Sequence, residues 1–198
     1  MTETSPVDAF QDGLIFEEYV ASMKTLKRHM LEQYAALRLS EVIKTEFTDL
    51  IEKHAQVLTL VMTEDYCPDS VLNLPIVARL AEAIPSMTLR IIYRSDYLDL
   101  ANRYPAADGY NHIPTVIFMT PQGQELGVWR ERSAAAREFL ANFETKTPQP
   151  PKTSAGGETT LAFKKWAKKR LDAQKEAYRN GLWKETAKEF MTLLKNKS

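Results

Sequence analysis

The spacing of apolar residues changes along the first part of the chain from a helical to a strand-like pattern. Between residues 14 and 39, apolar residues recur at steps of three and four, which predicts one amphipathic helix. Ser40 can cap a second helix, in which Phe47 and Ile51 lie on the apolar face. Residues 56–62 follow with a continuous apolar centre, which predicts a strand covered on both faces.

Residues 70–143 continue this pattern with three further helices and three further strands. In chain order they are a helix (70–83), a strand (88–93), a short helix (96–103), two strands (115–119 and 125–129) and a helix (133–143). Pro75 interrupts the first of these helices and is expected to kink it. The early strand–helix–strand order predicts a parallel pair, and the turn at 121–124 predicts an antiparallel hairpin. We therefore expect an α/β fold with a mixed four-stranded sheet and helices on both faces.

Proline and glycine separate this region from the end of the chain. Residues 145–157 contain three prolines and two glycines, which is typical of a linker. Residues 158–179 and 182–195 are predicted helices joined at a turn, and they either form a separate hairpin or dock on the preceding domain. We thus divide the chain into an N-terminal helical extension (1–39), an α/β domain (40–144), a linker (145–157) and a C-terminal helical extension (158–198).

Composition and charge indicate which cellular environment and which partners to expect for the protein. Of its 198 residues 44% are hydrophobic and 26% charged, as in a globular domain, and no apolar run is long enough to span a bilayer. Residues 1–12 are polar and acidic, unlike a signal peptide, so we expect a cytoplasmic protein with no membrane partner. Residues 152–198 hold 12 Lys and Arg against 5 Asp and Glu. We favour docking of this basic tail on the acidic body over nucleic-acid binding, with Trp166 in the core.

The single cysteine of the chain lies at the predicted junction between the first strand and the helix that follows. Unpaired N–H groups at the start of a helix stabilise an anion, and the Ser70 hydroxyl can donate to a Cys67 thiolate. The neighbouring Asp65 and Asp69 oppose this effect, because like charges disfavour ionisation. The sequence therefore leaves open the direction in which the pKa of Cys67 is shifted.

The positions of Cys67, Pro75, the Ile113-Pro114-Thr115 step and Gly123 resemble those of the thioredoxin-like fold over residues 40–143. The resemblance implies a nucleophilic Cys67 that faces a cis-proline loop at Pro114. The segment from Cys67 to Pro75, with its Cys-Pro-Asp-Ser start and its Asn-Leu-Pro end, is similar to a group of bacterial thioredoxin-like proteins with one cysteine.

Three residues depart from the pattern of this family. Tyr66 replaces the usual tryptophan, Ser70 replaces the second, resolving cysteine, and Val61 replaces a buried acid. Because the intramolecular resolving step is lost, we expect a monothiol thiol-disulfide oxidoreductase in which an external thiol releases the mixed disulfide. The alternative is a binding module that keeps the thioredoxin fold without its chemistry.

The first hypothesis assigns a role to each residue of the site. Cys67 and Ser70 are the catalytic pair, and the substrate-binding residues are Tyr66, Pro68, Ile113 and Pro114. The expected partner is a protein that carries a disulfide or sulfenic acid, or a small thiol. We predict no cofactor and no metal, because three histidines and one cysteine lack ligand spacing. His112 is expected to be a solvent-exposed loop residue and Arg132 a solvated strand end, and the oligomeric state stays open.

Overall fold

A computed structural model describes residues 3–154 and 156–196 of the chain. Its centre is one four-stranded sheet of β1 (Val57–Thr63), β2 (Met87–Tyr93), β3 (Thr115–Met119) and β4 (Glu125–Arg130), in the order β2-β1-β3-β4. Strands β1 and β2 are parallel, whereas β1–β3 and β3–β4 are antiparallel. The predicted mixed sheet is confirmed.

Helices cover both faces of this sheet, as predicted. They are α1 (Pro6–Asp12), α2 (Phe16–Ser22), α3 (Lys27–Ala36), α4 (Glu41–Glu52), α5 (Pro68–Ala83), α6 (Leu98–Ala101), α7 (Ala134–Lys146), α8 (Leu161–Ala177) and α9 (Trp183–Lys195). Side chains of β1 alternate between two cores, because successive residues of a strand point to opposite faces. Val57 and Val61 pack with the larger core that includes α2 to α5 and α9, and Leu60 packs with a smaller core that includes α1 and α6.

The prediction of one helix over residues 14–39 is wrong, because the structure has two. Leu14 pairs with Ile91 of β2 through backbone hydrogen bonds, so α2 begins only after it. Between α2 and α3 the Asp65 carboxylate accepts hydrogen bonds from the backbone N–H groups of Lys24 and Thr25 at 2.7 and 3.0 Å. A distant acid thus binds the donors on which a continuous helix would depend.

Two other local features differ from the sequence-based expectation. Helix α1 lies in a segment whose polar character gave no helical signal. Ser5 caps it, and Phe10 is buried in the smaller core. The predicted helix at 96–103 is a 3₁₀ turn at Arg94–Asp96 followed by the four-residue α6. Ser40 and Ser133 cap α4 and α7 as expected.

The C-terminal helices pack against the α/β region. The ring of Phe190 on α9 lies 5.3 Å from that of Phe118 on β3 and 5.2 Å from that of Trp129 on β4. Gly127 makes room for this helix, since a Cβ atom there would lie 2.8 Å from Leu193 Cβ. Trp166 is buried, as predicted. Among the described residues, no helix is both long and apolar enough to cross a bilayer.

Candidate active site around Cys67

Cys67 occupies the N-cap position of α5, directly after the loop that follows β1. Pro68 is in the first turn of this helix, where a missing N–H costs nothing because that group has no helical partner. The Cys67 side chain is nearly covered, and only 8% of the residue's surface is exposed. Cys67 thus lies where helix α5 begins, as the sequence indicated.

The loop before β3 forms the opposite wall of the site. The Ile113–Pro114 peptide bond is cis, and the Cys67 thiol donates a hydrogen bond to the Ile113 carbonyl over an Sγ–O distance of 3.4 Å. The Pro114 carbonyl accepts the Glu131 N–H at 2.7 Å, and the Thr115 hydroxyl donates to the His112 carbonyl at 2.6 Å. These bonds hold the loop beside the sulfur atom.

The surroundings of the sulfur raise the pKa of the Cys67 thiol. Burial is the main cause, because it disfavours the charged thiolate, and the negative charge of Asp69 acts in the same direction. The Ser70 hydroxyl and the N–H groups of Asp69 and Ser70 lower the pKa, but they do not outweigh burial. The direction that the sequence left open is therefore upward, towards a protonated thiol that donates to a carbonyl.

A buried pair of hydroxyl groups lies behind the sulfur. Thr63, at the end of β1, donates a hydrogen bond to the Ser70 Oγ atom, and both residues are buried. The bond from Thr63 leaves the Ser70 proton free to point at Cys67, which is the orientation that favours a thiolate. Sequence reasoning identified Ser70 but missed Thr63, which reads simply as the polar end of an apolar strand.

The Asp69 carboxylate, next to the start of the cysteine's helix, is paired with an arginine. Arg132 donates to its two carboxylate oxygens at 3.0 and 2.6 Å, and it also lies 2.7 Å from Glu131. The expectation that Arg132 is a solvated strand end is wrong, because its side chain is only 17% exposed in this bidentate pair. The sequence does not reveal the contact between Arg132 and Asp69, because 63 positions separate the two residues.

Tyr66 and Pro68 flank the cysteine on the outer side. Tyr66 is 56% exposed, and its hydroxyl accepts a hydrogen bond from Arg94 at 3.1 Å. Arg94 also donates to the Asn111 carbonyl at 3.4 Å, so it links the Tyr66 loop to the loop that leads to Pro114. Pro68 is half-buried. The sequence gave no signal for Arg94.

A sequence model described as thioredoxin matches residues 13–146, about two thirds of the chain. The chain belongs to the thioredoxin family. The matched region includes Cys67, the cis-Pro114 loop and all four strands. It also includes α2 and α3, so the family region begins well before the α/β core.

Two solved structures are similar in fold over nearly the whole chain. A crystal structure of a protein of unknown function from Pseudomonas aeruginosa is 17% identical with a TM-score of 0.65, and covers 98% of this chain and 99% of its own. An HIV epitope scaffold is 16% identical with a TM-score of 0.64, and covers 98% of this chain and 100% of its own. At such identities the likeness concerns the fold alone. A search of curated protein sequences returns no match.

His112, on the cis-proline loop of the thioredoxin fold, lies beside two acids. Its Nε2 atom lies 2.6 Å from the Asp108 carboxylate, and this hydrogen bond lowers the pKa of Asp108. Its Nδ1 atom lies 3.8 Å from Glu131. The histidine is thus a half-buried loop residue held by two acids, rather than the solvent-exposed residue that we expected.

A buried polar network ties the family's active-site helix to the C-terminal helices. The Asn73 side chain of α5 accepts hydrogen bonds from the hydroxyls of Tyr178 and Thr186, both at 3.1 Å. Its amide donates to the backbone carbonyls of Asp69 and Glu131 at 2.9 and 3.3 Å. In the described part of the chain, no cluster of His, Cys, Asp and Glu is arranged to hold a metal ion.

Proposed function

We propose that the protein is a monothiol thiol-disulfide oxidoreductase that acts through Cys67. The observation that carries this proposal is the position of the only cysteine, at the N-cap of α5 and 3.4 Å from the carbonyl next to cis-Pro114. The helix N–H groups and Ser70 are the groups that would steady a thiolate there.

The reaction consists of two balanced exchanges. The Cys67 thiolate attacks one sulfur of a substrate disulfide, a new S–S bond forms, and the other substrate sulfur leaves as a thiolate with the bonding electron pair. With a sulfenic acid the leaving group is hydroxide. Ser70 has no sulfur, so a second thiol from solution attacks the substrate sulfur of the mixed disulfide and releases Cys67. Tyr66, Pro68, Ile113 and Pro114 are proposed to contact the substrate backbone.

The raised pKa of Cys67 has consequences for the rates of the proposed exchanges. Little of the thiol is ionised at neutral pH, but each thiolate that forms is a stronger nucleophile, because nucleophilicity increases with thiol pKa. A high-pKa thiol is also a poor leaving group. We therefore infer slow formation and slow release of mixed disulfides.

Mass spectrometry of the intact protein tests the proposal, because the chain has one cysteine and every adduct is unambiguous. Folded protein is incubated with hydroxyethyl disulfide at several pH values, and the adduct is then exposed to glutathione. We expect one adduct per chain, formed faster as the pH rises and removed by the thiol. Cys67→Ser provides the matched control and must give no adduct. A folded wild-type protein that gives none either would refute the proposal.

The second candidate is a binding module that uses the same surface without thiol chemistry. The near-complete burial of Cys67 and its raised pKa favour it. It differs in what it predicts for Cys67→Ala, which would keep every interaction and every cellular effect of the protein. The oxidoreductase proposal predicts that Cys67→Ala is equivalent to loss of the whole protein.

A further inference from the structure

The guanidinium group of Arg94 joins the two loops that meet at the thiol. It donates to the hydroxyl of Tyr66, the residue before Cys67, and to the carbonyl of Asn111, two residues before Ile113. Ile113 in turn accepts the thiol hydrogen bond. Arg94 thus places a cation between the two loops that meet at the thiol.

Arg94 forms no ion pair within the described residues, and its buried Nε atom has no hydrogen-bond partner. Four acids around the site are engaged elsewhere. Asp69 pairs with Arg132 and Asp108 with His112, while Glu64 accepts the Ser95 N–H at 2.8 Å. Asp65 accepts from Lys24 and Thr25. Both partners that Arg94 does contact are neutral oxygens, so its positive charge has no direct counter-charge within residues 3–154 and 156–196.

We propose that Arg94 selects disulfides that carry a carboxylate close to the reacting sulfur. The proposal rests on the proposed function, because it names the substrate class of the same site. An unpaired guanidinium in a partly desolvated position attracts an anion more strongly than one in open water. The exposed rings of Tyr66 and Tyr110 lie along the same two loops and offer apolar contact to the rest of the substrate.

The chemical step itself does not change. The Cys67 thiolate forms the new S–S bond, and the departing half of the substrate takes the electron pair as a thiolate. Arg94 acts on the approach of the substrate by offsetting its negative charge. It is therefore a specificity-determining residue and does not take part in bond breaking.

Three small disulfides of different charge test the proposal. Dithiodipropionate carries carboxylates, hydroxyethyl disulfide is neutral and cystamine carries ammonium groups. The rate of Cys67 adduct formation is measured for each by intact mass at low ionic strength, and is divided by the rate for the same protein unfolded in urea. This division removes the intrinsic reactivity of each disulfide.

Wild type is expected to prefer the carboxylate disulfide to the neutral one, and Arg94→Gln, which keeps a donor but loses the charge, should reduce this preference about fivefold. Arg94→Lys should retain most of it. Arg28→Met removes an equally charged residue from the exposed face of α3 and should change nothing. Salt should weaken the preference in wild type, because ions screen the attraction.

Equal preferences in wild type and Arg94→Gln would overturn the assignment. A wild-type preference for cystamine would also overturn the assignment, because the acids near the site would then dominate the electrostatic potential there. The preference of wild type can be measured even if Arg94→Gln does not fold. Adducts that form without charge selectivity reject Arg94 but leave the proposed function intact. A wild type that reacts with none of the three disulfides rejects both.

Discussion

Two opposing influences act on the sulfur atom of Cys67. The start of α5 and Ser70 favour the thiolate, whereas burial and Asp69 favour the thiol, and the balance raises the pKa. The sequence supplies all of these groups except the degree of burial. That quantity depends on how closely the Ile113–Pro114 loop approaches, and no local pattern encodes it.

Ser70→Ala should raise the pKa of Cys67 further, because it removes a donor to the thiolate. Thr63→Val should raise it in the same direction, since Ser70 loses the bond that directs its proton towards sulfur. The alkylation rate at about pH 8 should fall about threefold in each. Thr63→Ser is the matched control and should react like wild type. A faster reaction of Thr63→Val would mean that Ser70 donates to Thr63 instead.

Asp69→Asn should lower the pKa of Cys67, because a negative charge next to the sulfur is lost, while Arg132 keeps its pair with Glu131. We expect alkylation at neutral pH to accelerate by about threefold. The same change should reduce the free energy of unfolding by about 2 kcal/mol, since a nearly buried arginine loses its charge-assisted hydrogen bonds to Asp69 and keeps only its pair with Glu131. Asp172→Asn, on the exposed face of α8, is the control for both measurements. Unchanged reactivity would show that Asp69 does not act on the thiol.

At the scale of elements, regular patterns were predictable and tertiary interruptions were not. The alternation of Val57, Leu60 and Val61 between two cores follows from a continuous apolar strand, and Ser40 and Ser133 cap helices through local hydrogen bonds. The break between α2 and α3 depends on Asp65, about 40 positions away. A periodicity of three and four cannot register such a contact.

The stability that Asp65 contributes at the break between α2 and α3 should decrease in acid. Burial by itself raises the pKa of Asp65, but the hydrogen bonds from Lys24 and Thr25 outweigh it and the pKa is lowered. A carboxyl with a lowered folded pKa stabilises the fold above its unfolded pKa of about 3.9, and this stability is lost as the pH falls through the folded pKa. Urea unfolding should therefore show a smaller loss between about pH 5 and 3 in Asp65→Asn than in wild type. Equal losses would contradict this account.

At the scale of the whole molecule, the C-terminal helices belong to the folded body. Phe190 packs against Phe118 and Trp129, and Asn73 joins α5 to Tyr178. The charge distribution favoured docking of these helices, but the sequence did not show where they dock, because an amphipathic face does not identify the surface that covers it. Nor did the sequence indicate that Gly127 makes room for α9.

Phe190→Ala should lower the free energy of unfolding by about 3–5 kcal/mol, the usual cost of a cavity where a buried aromatic ring is removed. Thr192→Ala, on the exposed side of the same helix, should cost less than about 0.5 kcal/mol. Denaturant unfolding monitored by tryptophan fluorescence measures both. A similar small cost for the two variants would mean that α9 contributes little to the stability of the molecule.

The alkylation rate of Cys67 in the folded protein, followed against pH, tests the central claim most directly. We expect complete labelling of one site, with a midpoint above the ordinary cysteine value of about 8.5. Such a profile would identify a buried thiol that becomes a reactive nucleophile on ionisation. A midpoint below that value would contradict the account of its environment. No labelling at any pH at which the protein stays folded would contradict a catalytic role for Cys67.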